Sequence, residues 1–158
     1  MDLRSLLSLS LLATAQKQYA ASDDVAQHSV RQPYVFDWQT GTATGQANKI
    51  YRRRGTLSAA GSLSFDLTNG SLHDPFGDSV AMGTVRAVCV ANLNASGAGL
   101  LTLSSSIAGF PQGIVSAWGV LFGADQTGWD TSTGTAQSLT LTATAASVTF
   151  DLIVIGTQ

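Results

Sequence analysis

The chain has 158 residues, with 8 Lys and Arg against 10 acidic residues and a formal charge of -2. That length builds one compact core and excludes two full domains. A composition of 44% hydrophobic and 11% charged residues excludes a disordered chain, and the slightly acidic balance excludes the basic face that nucleic acid requires.

Every acidic residue is Asp, and Lys occurs only at Lys17 and Lys49. Helical proteins lean on Glu and Lys, whereas Asp favours turns and caps. Ser, Thr and Gly fill the gap, so strands and turns are expected. The single cysteine, Cys89, lies in the apolar run Val85 to Val90. It forms no internal disulfide and reads as a small buried hydrophobe.

Residues 1–33 differ from the rest. The stretch Leu6 to Gln16, LLSLSLLATAQ, imitates the apolar part of a secretory signal. Asp2 dilutes the positive flank, Ser8 and Ser10 break the run, and no cleaved signal peptide is expected. Asp2 is placed to cap a short helix, with Leu3, Leu6, Leu7 and Leu11 along one face. The segment is therefore expected to be a partly helical arm whose leucines need a partner surface. About ten apolar residues are too few to span a bilayer, so no membrane partner is expected.

Residues 34–56 read as a linker and first strands. Tyr34-Val35-Phe36 is β-prone, TGTATG at Thr40 to Gly45 is a flexible link, and Lys49 to Arg52 opens a strand. Arg52, Arg53 and Arg54 follow. On a strand, alternate members of such a run point to opposite faces, which suits an edge or an interface better than a phosphate groove.

Residues 57–158 read as the core. Leu63, Phe65 and Leu67 alternate with Ser62, Ser64 and Asp66, the pattern of a half-buried strand. Asn69-Gly70 and Asp74-Pro75-Phe76-Gly77-Asp78 are turn chemistry. Thr84 to Leu93 is apolar on both faces apart from Arg86 and Asn92, which suits the centre of a packed sheet. Leu100 to Leu103 is a short strand, Ile114 to Phe122 a strongly apolar one with Trp118 in the core, and Asp125 to Gly134 a polar loop carrying Trp129. Ser138 to Thr142 alternates again, and Ser147 to Ile155 closes the fold. The expected fold is all-β, a β-sandwich or jelly roll of seven to nine short antiparallel strands.

Little points to chemistry. Asp74 with Asp78, and Asp125 with Asp130, lie in Gly-bearing loops where Asp satisfies local backbone donors. Their spacing matches no calcium loop. His28 and His73 give Cys89 no positioned base, and no nucleophile elbow or phosphate loop is present. No catalytic residue, metal or cofactor is expected. Trp129, in its polar loop, is the foremost candidate for an exposed contact.

The segments Leu72-His73-Asp74-Pro75-Phe76-Gly77, Val85-Arg86-Ala87-Val88, Asn92-Leu93, Thr127-Gly128-Trp129, Ser138-Leu139-Thr140 and Val148 to Thr157 follow one another in a recognisable order. That order, over residues 57–158, resembles a group of small virion proteins of tailed bacteriophages. The resemblance implies a β-sandwich subunit, a head decoration (cement) protein that forms homotrimers and clamps the major capsid protein on the capsid surface of the virion. It implies no catalytic residues. On this reading the interface candidates are Leu3, Leu6, Leu7 and Leu11 on the arm, Arg52, Arg53 and Arg54, and Trp129. The alternative is a tail or receptor-binding module contacting carbohydrate through Trp129, and a third reading is a small secreted enzyme or lectin.

Overall fold

A computed structural model of the chain describes residues 5–18, 25–74, 76–95, 99–132 and 137–158, with residues 5–18 and 25–34 described as backbone alone. The strands, in chain order, are β1 Ser5–Gln18, β2 Val25–Thr40, β3 Gln46–Ala47, β4 Lys49–Leu57, β5 Ser62–Asp66, β6 Leu72–His73, β7 Ser79–Val80, β8 Thr84–Asn92, β9 Leu101–Ser105, β10 Gly113–Val115, β11 Val120–Asp130, β12 Ser138–Ala143 and β13 Val148–Thr157. The fold is all-β, and there is no helix among the described residues.

The helix expected near the N-terminus is corrected by strand β1. The physical reason lies in the same leucines. Leu7, Leu9 and Leu11 alternate with Ser8 and Ser10, a period of two that competes with the helical spacing of Leu3, Leu7 and Leu11. The chain divides into two compact units. One is Leu6–Asp37, which holds nearly all of β1 and most of β2; the other runs from Trp38 to Gln158. The strand expected to open at Lys49 is β4, which pairs with β13 from Lys49↔Gly156 to Leu57↔Val148 and so joins the core sheet.

The larger unit is a β-sandwich of two four-stranded antiparallel sheets, ordered β10-β9-β12-β5 and β11-β8-β13-β4. The chain passes from one sheet to the other at almost every step. Period-two burial explains the packing. Leu139, Leu141 and Ala143 of β12 face Val148, Phe150, Leu152 and Val154 of β13 across a core in which all seven are buried. Phe65 of β5 sits among the aromatics, with its ring centroid 5.8 Å from Tyr51 and 6.5 Å from Phe150. On the outer face of the sheet that holds β5 and β12, paired hydroxyls line up as Ser62 with Thr142 and Ser64 with Thr140, at 3.1 and 3.2 Å.

The strand Thr84–Asn92 is central, as expected, and is flanked by β11 and β13. Both of its faces are apolar, and Ala87 is as buried as Val88. The segment 41–48 packs against this end of the sheet: Asn48 N donates to Gly156 O at 3.0 Å, and Arg86 reaches back to the carbonyls of Ala43 and Gln46.

Candidate interaction surface

The apolar run Ile114 to Phe122 is not one strand. It is β10, a tight turn through Ser116 to Gly119 closed by Gly119 N donating to Ser116 O at 2.8 Å, and then β11 in the opposite sheet. This corrects the expectation for Trp118. Its side chain is 69% exposed, with Ile114 at 66% and Val120 at 56% beside it in sequence. A large apolar residue standing in solvent costs hydrophobic free energy, and here three lie within seven residues of the sequence.

The turn is held from several sides. Asn92, 1% exposed at the end of β8, donates from Nδ2 to Val115 O at 3.1 Å and to Gly99 O at 2.9 Å. Its backbone N donates to Gly119 O at 3.0 Å. Trp118 Nε1 donates to Ala95 O at 3.0 Å. Trp118 itself has φ of 56°, a left-handed conformation that a bulky residue adopts only where its surroundings enforce it. A rigid exposed Trp is well suited to protein contact, since little side-chain entropy is left to lose on docking.

Trp129 behaves oppositely. It lies on β11, which runs through most of the expected polar loop, and packs half-buried against the core with its ring centroid 4.9 Å from Phe110. The two tryptophans therefore exchange the places expected of them. Gly119 directly after Trp118, preceded by Ser116 and Ala117, was the available signal for a turn.

Arg86 is 3% exposed and makes no side-chain ion pair among the described contacts. Its guanidinium instead gathers carbonyls from two loops. Nε donates to Gln46 O at 3.2 Å, Nη2 to Ala43 O at 3.1 Å, and Nη1 to Gln126 O at 2.8 Å and to Thr127 O. Burial pulls its pKa below the ordinary value, and the charge of Asp125 partly offsets this. The Asp side chains are turn formers, as expected. Asp125 Oδ1 accepts from Thr127 N at 2.7 Å and Gly128 N at 3.0 Å, and Asp74 Oδ1 accepts from Phe76 N at 2.8 Å and Asp78 N at 2.9 Å. Among the described residues no group of three or more His, Cys, Asp or Glu side chains could hold a metal ion.

The three arginines lie on β4, an edge strand. Arg52 makes a forked pair with Asp151 of β13, Nε to Oδ1 at 3.0 Å and Nη2 to Oδ2 at 2.5 Å. Arg53 and Arg54 are exposed. Of the arm leucines, Leu3 lies outside the described residues; Leu6, Leu7 and Leu11 fall on β1, where only backbone is described. Cys89 is half-buried in β8 opposite Phe122 and Ile153, and burial, followed by the negative charge of Asp151, pushes its thiol pKa up. That suppresses the thiolate that nucleophilic chemistry needs.

The sequence matches no protein-family model and no curated protein. Among solved structures, the crystal structure of FLHE is similar to this chain at a TM-score of 0.36 and 11% identity, covering 68% of this chain and 94% of that one. A likeness this distant carries no argument about function.

Proposed function

We propose that this chain is a structural subunit of a tailed-bacteriophage virion, a head decoration protein that binds the shell as an oligomer and stabilises it. One observation carries the reading. The segments whose order resembles that group are far apart in the chain, yet several meet in one sheet. Val85 to Val88 lie on β8, Thr127 to Trp129 on β11 and Val148 to Thr157 on β13, with β8 in the middle. Arg86 of the first segment bonds the Thr127 carbonyl of the second, and Thr157 of the last pairs with Thr84 next to the first. The segments that carry the resemblance thus lie together in one sheet of this chain.

The sandwich suits such a role. Its charges are few, and one of its exposed aromatics, Trp118, is held by a hydrogen bond from its indole to the Ala95 carbonyl. Many weak symmetric contacts on a shell add through multivalency. The exposed tryptophan is Trp118, and Trp129, on which the carbohydrate alternative rested, is partly buried against the core.

The test is co-sedimentation of the purified full-length protein with undecorated heads of the phage that encodes it. Saturable binding that raises the heads' resistance to heat or low salt is the expected result. Loss of binding on deleting residues 1–33, with the sandwich still folded, would assign the clamp to the arm. A folded protein that ignores heads at every concentration overturns the proposal.

A further inference from the structure

The loop between β6 and β7 takes no part in the hydrophobic core, yet it is firmly held. Asp74 N donates to Asp78 O at 2.9 Å, and Gly77 N donates to Asp74 O at 3.0 Å. Asp74 Oδ1 accepts from Phe76 N and Asp78 N, which commits that oxygen to the loop. Gly77, with φ of +91°, makes the turn without steric cost. Phe76 is thereby presented with 68% of its surface exposed. Asn48, Lys49 and Ile50, at the start of β4, line one cavity of about 220 Å³ together with Asp74, Phe76 and Asp78. Asn48 is anchored twice: its N donates to Gly156 O at 3.0 Å, and its Oδ1 accepts from Gln158 N at 2.9 Å, which leaves its Nδ2 donor unused. Among the described residues, the side chains of Lys49 and Asp78 make no ion pair or hydrogen bond, with each other or with any other group.

We infer that this cavity, lined by Lys49 and Asp78 with Phe76 beside them, is a binding site for a free apolar α-amino acid. The ligand class follows from the lining. Two unpaired charges of opposite sign share one cavity, so a ligand carrying both signs close together satisfies both. A simple anion meets Lys49 but is repelled by Asp74 and Asp78. A simple cation meets Asp78 but is repelled by Lys49. An α-amino acid sets its carboxylate toward Lys49 and the Asn48 amide and its ammonium toward Asp78. Phe76 and Ile50 offer apolar surface to its side chain. Size points the same way, because the cavity is smaller than the roughly 300–1,000 Å³ of sites for drug-sized ligands. A peptide is too large, and it places its two terminal charges on different residues. The site stands apart from the proposed virion role, since it can be occupied and measured without heads.

The experiment titrates the full-length protein with L-leucine and follows backbone amide chemical shifts. Saturable shifts of Lys49, Phe76 and Asp78 are the expected result. N-acetyl-leucine, which lacks the ammonium, and leucine amide, which lacks the carboxylate, should each bind about tenfold or more weakly, as loss of one charge-assisted hydrogen bond does. Lys49→Met and Asp78→Asn should weaken L-leucine binding to the same degree while their far-ultraviolet circular dichroism matches wild type. Asp78 is exposed, so Asp78→Asn keeps the test available if Lys49→Met disturbs β4. The absence of saturable shifts at millimolar leucine overturns the inference. So does L-leucine binding that neither variant weakens. N-acetyl-leucine binding as well as leucine would make this an anion site, and leucine amide binding as well would make it a cation site; either result also overturns the inference. Leucine binding by a protein that ignores heads leaves this inference standing and removes the virion reading.

Discussion

Arg86 and Thr127 are joined across two neighbouring strands: the guanidinium of β8 donates to the main-chain carbonyl of Thr127, in the irregular stretch where the β8–β11 register shifts between Ala124 and Trp129. The same guanidinium binds Gln126, Ala43 and Gln46 carbonyls, so one buried charge organises two loops. Arg86→Met keeps the apolar stem and strands those carbonyls. It should lower unfolding free energy by about 3 kcal/mol in urea titration. Arg86→Lys should recover only part of that, because an ammonium cannot fork to four carbonyls. Full stability in Arg86→Met would show that water satisfies the loops equally well.

Gly128 is the residue that lets this contact form. Its φ is +81°, and a Cβ there would meet Val85 O at 2.7 Å and Arg86 Nη1 at 2.9 Å. Gly128→Ala combines left-handed strain with a collision against backbone. A loss of about 3 kcal/mol is expected by thermal or urea unfolding. A variant as stable as wild type would mean that the β11 bulge can shift without cost.

Period-two alternation made most of the sandwich legible. Leu63-Phe65, Leu139-Leu141 and Phe150-Leu152-Val154 each announced a buried face, and the two-faced apolarity of β8 announced its central place. What alternation could not show was where an apolar run turns. Ile114 to Phe122 is strongly apolar, and Ser116 and Gly119 interrupt it too briefly for alternation to show the change of sheet there, so Trp118 read as core. Trp129 was misplaced for the converse reason: Asp125 and Asp130 make its surroundings polar, yet their carboxylates accept from the local backbone N–H groups of Thr127 and Ser132 while the indole turns inward onto Phe110. The arm failed differently. A leucine- and serine-rich segment satisfies helical and strand periods at once, and pairing with β2 favours the strand.

The exchange of tryptophans predicts opposite costs. Trp129→Ala removes a half-buried indole and its edge contact with Phe110, and should destabilise the fold by about 2 kcal/mol. Trp118→Ala removes a solvent-facing ring and should change monomer stability by less than about 0.5 kcal/mol. Acrylamide should quench Trp118 far more readily than Trp129, which single-tryptophan variants report directly. Equal quenching would contradict the exposed turn.

Asp66 links stability to pH. Its Oδ1 accepts from Thr68 N at 2.9 Å and Thr68 Oγ1 at 2.8 Å, and these bonds hold the carboxyl below its ordinary value. A depressed folded pKa means that the stabilisation is present above the unfolded value of 3.8 and is lost as pH falls through the folded value. Urea midpoints measured at successively lower pH should therefore drop in wild type below about pH 4, and Asp66→Asn should show a flatter profile over the same range. Identical profiles would mean that Asp66 contributes nothing to the acid limb. The effect is small, because the side chain is near solvent and screened.

The arginine edge should prove protective rather than stabilising. Arg53 shares its strand face with the buried Tyr51 and Leu57 yet remains exposed, which places a charge on the core-facing side of an open edge. Changing Arg52→Thr, Arg53→Val and Arg54→Thr together keeps strand propensity and removes every charge from that stretch. The Arg52–Asp151 pair lost in the process is largely solvent-exposed on the arginine side, so monomer stability should change by no more than about 1 kcal/mol. Solubility should respond much more strongly. Static light scattering should detect growing aggregates in the triple variant under conditions that leave wild type clear, since the bare β4 edge can then add strands without repulsion. Restoring Arg53 alone should recover most of the lost solubility, because a core-facing charge must be desolvated whenever another strand docks there. If the triple variant stays as soluble as wild type, the protection of this edge lies in its twist or in the segments beside it.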